Sequence, residues 1–284
     1  MSSVLGAWDV TVHRPSGPFP SWFEISNDLG EIVGRYVGIW GSSRPIPSIV
    51  IDGNRLSFAL PPQYEGCKSD LRFELTIEGD YISGQAWIWE DEPYPVSGTR
   101  APAMDRAAGT PGEPIDLIAA GLEGFTARWT DMAFNWSMEN GILVNSAKGT
   151  DIVSIQKFTD FRLEAEYTYP EKSNSGIYLR GRYEFQILDD FGSEPSVGSS
   201  AAIYGFFAPN RNAIHPAEEW NHAVIELIGR KVTVELNGHL VVEDTIPGIT
   251  GGALDSNEGE PGPILLQGDH GPVSFRKLLL TPLS

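Results

Sequence analysis

The sequence predicts an all-β protein of two domains, a smaller antiparallel β barrel or sandwich followed by a larger two-sheet sandwich. Three observations predict it. Short stretches of period-2 apolar alternation recur along the whole chain. Tight-turn signals separate them, in keeping with 31 glycines and 21 prolines among 284 residues. No long stretch carries the 3.6-residue periodicity of an amphipathic helix.

Seven strands are expected in residues 1–104, at 8–12, 22–25, 32–40, 47–51, 56–60, 71–77 and 81–89. Asn27-Asp28-Leu29-Gly30, Asp52-Gly53-Asn54 and Glu78-Gly79-Asp80 supply turns; in the last two, Gly stands where φ is positive. Residues 105–116 combine two prolines and two glycines without apolar alternation, as a linker does.

About a dozen strands follow in residues 117–284, among them 161–169, 175–180, 183–189, 201–207, 222–229, 231–238 and 263–267. That number in about 165 residues has the dimensions of a jelly roll, two packed sheets with one often curved. Asn237-Gly238 is a strong hairpin signal, because both residues tolerate the left-handed region of a type I′ turn. One short helix is expected within residues 109–124.

Composition narrows the partners. A net charge of −18 and a pI near 4.6 argue against nucleic acid and anionic membrane surfaces. No run of 18 apolar residues occurs, so membrane insertion is not expected. The N-terminal residues lack a basic, then apolar, leader. The expected compartment is the cytoplasm, or the periplasm or exterior if the native chain is longer. Cys67 stands alone and cannot form an internal disulfide.

The run from Asn174 to Asp189, reading NSGIYLRGRYEFQILD, resembles the family of 3-keto-disaccharide (3-keto-glucoside) hydrolases. Further pieces fall in the family's order: Trp136 to Leu143, Ala202 to Gly205, Glu219-Trp220-Asn221, Leu236-Asn237-Gly238, and Gly262 to Gly271. The family's usual ending reads Gln-Asp-His-Gly. Here Gly268 stands between Gln267 and Asp269, shifting the local register by one.

The resemblance implies a concanavalin-like jelly roll over residues 117–284 and cleavage of glycosides already oxidised to a ketone at sugar C3. The partners implied are a small carbohydrate substrate and an upstream sugar 3-dehydrogenase. The chemistry needs a base for the acidified C2 proton, stabilisation of the resulting oxyanion, and an acid for the leaving oxygen.

Glu184 and Gln186 lie two apart on an expected strand and share a face. Glu184 is the candidate base, and Gln186 a candidate for binding a sugar hydroxyl. Arg180 is the candidate electrostatic partner. A two-residue turn at Gly181-Arg182 would set it opposite Glu184's face, whereas a three-residue bulged loop would pair the two. His270 titrates near neutrality and is the candidate acid. Tyr178, Asp189, Tyr204, Trp220, Asn221 and Gln267 complete the candidate substrate-binding set. Glu184 and Asp189, five apart, would need a bulge to act as a direct glycosidase pair.

No cofactor is called for. The acidic stretch 255–260 could hold a divalent cation, calcium or magnesium, but lacks EF-hand spacing and reads better as a solvated loop. Two other functions stay open on these residues: a lectin-like module binding glycans without chemistry, and an ordinary jelly-roll glycosidase.

Overall fold

The computed structural model describes residues 4–89 and 92–283. The chain divides into two compact units, residues 1–103 with 247–259, and residues 104–246 with 260–284. The sequence reading assigned 247–259 to the jelly roll. Those residues leave it between two strands and join the first unit instead, where Gly252 N–H donates to the Ile39 carbonyl at 2.8 Å.

The first unit holds β1 (Gly6–Arg14), β2 (Gly17–Asp28), β3 (Glu31–Val37), β4 (Arg44–Pro45), β5 (Ser48–Asp52), β6 (Arg55–Leu60), β7 (Leu71–Glu78), β8 (Tyr81–Trp87) and β9 (Tyr94–Arg100). They form one antiparallel sheet in the order β4-β3-β2-β1-β9-β8-β7-β6-β5. Its outermost strands, β4 and β5, are separated only by Ile46 and Pro47, so the sheet curls around one core. Phe58 and Phe73 stack at its centre, with ring centroids 4.6 Å apart.

β4 and β9 were not anticipated. β9 begins at Tyr94-Pro95 and contains Gly98, and proline and glycine argue against a strand. Gly98 is nevertheless what lets β9 approach β1, since a Cβ there would lie 2.3 Å from the Asp9 carbonyl oxygen.

The second unit begins with β10 (Ile115–Asp116), a 3₁₀ turn at Gly121–Gly124, β11 (Phe125–Ala127), β12 (Trp136–Glu139), β13 (Ile142–Asn145), β14 (Ile152–Phe158) and β15 (Phe161–Thr168). It continues with β16 (Asn174–Leu179), β17 (Tyr183–Leu188), β18 (Asn221–Ile228), β19 (Lys231–Leu236), β20 (His239–Thr245), β21 (Gly262–Leu266) and β22 (Val273–Pro282). An eight-stranded sheet runs β12-β13-β22-β15-β18-β19-β20, with β10 also on β22. A five-stranded sheet runs β11-β14-β21-β16-β17.

The two sheets meet through their apolar rows, Tyr167 of β15 lying edge-on to Phe185 of β17 at 6.2 Å. This is the jelly-roll sandwich. Asn237 and Gly238 both take positive φ in the β19–β20 hairpin, as a type I′ turn demands. Residues 201–207, expected as a strand, form turns with isolated bridges from Ile203 to Phe185 and Phe207.

Candidate functional site

Strand register builds the site. Ala127, Ile152, Leu266, Ile177 and Phe185 are directly paired across the five strands. The last four are fully buried, forming part of the sandwich core. Side chains alternate along each strand, so the flanking rows face away from that core. One flanking row is Thr126, Val153, Leu265, Tyr178 and Glu184. Continuing the same register gives the other: Arg128, Asp151, Gln267, Gly176 and Gln186. Backbone hydrogen bonds from Arg128 to Asp151 (2.9 Å) and from Gln267 to Gly176 (2.9 Å) extend the ladder into that row.

Glu184 lies where the two rows meet. Its Oε2 accepts the Tyr178 hydroxyl at 2.9 Å, across the strand pair. Its Oε1 leans towards Gly176, where a Cβ would sit only 2.7 Å from that oxygen. The absent side chain leaves a notch flanked by Gln186 and Gln267. The Gln186 Oε1 accepts the Ile187 N–H at 3.1 Å, whereas the buried Gln267 Oε1 has no hydrogen-bond partner.

Burial pushes the Glu184 carboxyl up to about 8; the Tyr178 hydrogen bond opposes this, and the charges of Asp269 and Asp151 add to it. The Tyr178 phenol is itself pushed up, by burial first and then by Glu184, so it stays a donor.

Asp151 and Arg128 form the far end of the row. Arg128 donates to Asp151 Oδ2 at 3.1 Å and lies over the Trp129 ring at 4.4 Å. Asp151 Oδ1 accepts two backbone N–H groups, from Gly268 (2.9 Å) and Asp269 (3.2 Å). Burial and then Asp269 push the Asp151 carboxyl up to about 6.

The register shift expected from the extra glycine is therefore taken up beyond β21, with Leu266 still paired to Ile177. Only glycine fits at 268, because a Cβ would lie 2.4 Å from the Thr150 carbonyl oxygen and 2.8 Å from Trp136 Nε1. His270 Nδ1 is hydrogen-bonded to Asp269, and that bond, more than any other cause, holds the imidazolium above its ordinary pKa.

Arg180 is not brought to Glu184, which corrects both turn geometries weighed from the sequence. Arg180 and Gly181 both take positive φ and occupy the turn itself, closed by Arg182 N–H to the Leu179 carbonyl at 3.1 Å. Leu179 then pairs with Tyr183, and Tyr178 with Glu184. The turn sends the Arg180 guanidinium to the opposite side, onto the Gly229 carbonyl (2.6 Å) and the Tyr183 hydroxyl (3.2 Å).

The remaining candidates are dispersed. Asp189 follows β17 and accepts the Lys172 N–H at 2.6 Å, which ties a loop. Tyr204 joins Glu184 through its backbone, N–H to carbonyl at 3.0 Å. Trp220 and Asn221 belong to the β18 end of the other sheet. Trp220 lies under the Arg276 guanidinium at 4.4 Å, and Asn221 Oδ1 binds His215 N–H and Asn237 Nδ2, both at 2.8 Å.

Sequence reasoning did not select Arg128 or Asp151. Each stands at a strand edge with no motif, and only the register across β11, β14 and β21 reveals that they share a row with Gln186. Among the described residues, no group of three or more His, Cys, Asp or Glu side chains is arranged to hold a metal ion, and no helix is long and apolar enough to cross a membrane.

A Parabacteroides distasonis protein provisionally described as a glycosyl hydrolase has a similar structure (TM-score 0.50, 27% identity), covering 64% of this chain and 94% of its own. A second such protein from the same organism aligns with TM-score 0.48 and 23% identity over 61% of this chain and 100% of its own. A laminarinase from Flavobacterium sp. UMI-01 aligns with TM-score 0.41 and 14% identity over 62% and 100%. A search of curated proteins returns no match. Residues 116–281, more than half of the chain, match the 3-keto-alpha-glucoside-1,2-lyase-like domain. The chain belongs to that carbohydrate-active family.

Proposed function

We propose that the protein is an enzyme that cleaves 3-keto-glycosides by elimination and rehydration, with Glu184 as the base. The observation that carries this reading is the Glu184 carboxyl: buried, pushed up to about 8, and leaning over the notch at Gly176. Abstracting a proton α to a ketone calls for a stronger base than an ordinary carboxylate, and such a pKa supplies one near neutral pH. A sugar ring seated over Gly176 would present its C2–H to Oε1.

In the first step Glu184 takes the C2 proton, and the C–H electrons delocalise into the C3 ketone as an enolate. That charge develops by the amides of Gln186 and Gln267, with the positive field of Arg128, which reaches Tyr178, acting at longer range. The enolate then collapses to a C1–C2 double bond as the C1–oxygen bond breaks. The departing oxygen takes a proton from His270, kept protonated by Asp269. Water finally adds hydroxyl at C1 and a proton at C2, so the net reaction is hydrolysis. Arg180 has no part, because its guanidinium is engaged with Gly229 and Tyr183.

The test is incubation with a 3-keto-glucoside beside the same unoxidised glucoside. Release of 3-keto-glucose from the oxidised compound alone supports the reading. Turnover of the unoxidised glucoside, or binding without turnover of either, overturns it in favour of an ordinary glycosidase or a lectin-like module.

A further inference from the structure

Asp151 lies three strands from Glu184 along the sheet, yet its contacts lead back to the acid of the proposed reaction. Its buried carboxylate makes three polar contacts, and two of them hold backbone. Oδ1 takes the N–H groups of Gly268 and Asp269, and Oδ2 takes Arg128.

The neighbouring bonds fix the same short segment. Gly149 N–H donates to the Gly268 carbonyl at 2.8 Å, and Asn145 Nδ2 to the Gly271 carbonyl at 2.9 Å. Gly268 packs so closely on Thr150 and Trp136 that it admits no side chain. The inserted glycine alone would add backbone freedom just ahead of Asp269. Two charge-assisted N–H bonds to one buried oxygen remove that freedom. The side chain of Asp269, whose N–H is one of the two, holds His270.

We propose that Asp151 is a positioning residue that locks the Gly268–Asp269 backbone so that Asp269 presents a protonated His270 to the leaving oxygen. The proposal deepens the 3-keto-glycoside reading and rests on it for the role of His270. The charged groups acting on His270 are Asp269, Asp151 and Lys148.

Asp151→Asn tests it, keeping the shape while removing the charge that grips both N–H groups and pairs with Arg128. Expected are hydrogen exchange at the Gly268 and Asp269 amides faster by about tenfold or more, and a His270 titration, followed by NMR of its ring protons, displaced towards the ordinary histidine value. On a 3-keto-glucoside kcat falls while KM stays within about threefold, as loss of an interaction made in the transition state requires. The pH limb set by His270 moves with its titration.

Unchanged amide exchange, or an unmoved His270 titration, overturns the proposal. Should the variant fail to fold, the unsubstituted protein decides: ionisation of Asp151 must shift the Gly268 and Asp269 amide resonances together, and amides that ignore it overturn the proposal. The exchange and titration readouts need no substrate. An inactive wild-type protein would therefore sink the reaction and leave the positioning question still answerable.

Discussion

Replacing Glu184 with Gln should raise the stability of the second unit while abolishing its chemistry. An ordinary Glu carboxyl titrates at 4.5, and in the fold Glu184 is pushed up to about 8. The folded state therefore holds its proton more tightly than the unfolded state does. The resulting stabilisation is complete below pH 4.5 and is lost as pH rises through about 8.

At pH 7 the unfolded carboxyl has ionised, across about 2.5 pH units, while the folded one has barely begun. The cost is on the order of 3 kcal/mol, growing by about 1 kcal/mol more by pH 9. Gln keeps the shape and an acceptor for the Tyr178 hydroxyl, and it removes the titration. Glu184→Gln should thus melt higher than wild type by about 6–12 °C at pH 7, by more at pH 9, and by little at pH 4.5. Thermal unfolding followed by circular dichroism at the three pH values is the assay. A difference that does not change with pH, or a variant less stable than wild type, would refute the reasoning that burial sets this carboxyl.

Three further predictions follow from the same contacts. Cleavage should need ionised Glu184 and protonated His270, so kcat/KM follows a bell whose two limbs are set by the raised pKa values of these two groups; a rate flat from about pH 5 to about pH 9 contradicts this. Gly176→Ala should cost at least about 100-fold in kcat, because its Cβ displaces the carboxylate; full activity would place the reacting oxygen elsewhere. Arg180→Met should cost about 3 kcal/mol of stability by leaving the Gly229 carbonyl unpaired, with kcat of the folded protein unchanged; a 100-fold loss of kcat would return Arg180 to the site.

The alternating stretches carried the fold class, because a strand with one buried face leaves a period-2 signature. Asn237-Gly238 likewise announces its hairpin, since few residue pairs accept two positive φ values. Where glycine or proline serves a close approach, the same signals mislead: Gly98 and Pro95 mark β9 as a non-strand although Gly98 closes the sheet. Residues 201–207 alternate like a strand yet bond to the edge of β17 from turns.

In the site, the common face of Glu184 and Gln186 followed from their spacing alone. Arg180 did not, because its positive φ depends on which residues form the turn, and Arg180-Gly181 took the place expected of Gly181-Arg182. Asp151 and Arg128 were illegible for a different reason. Their closeness to Gln267 is a matter of register between strands more than a hundred residues apart, as in the pairing of Ile152 with Leu266. Local pattern does not encode that register.

The central claim is that the C2 proton leaves and a solvent proton takes its place. Cleavage of a 3-keto-glucoside in D₂O, stopped early and compared with 3-keto-glucose held in the same buffer, tests it most directly. Elimination and rehydration predict one deuterium at C2 of the enzymatic product beyond that of the control. Product carrying no C2 deuterium above the control would contradict the account.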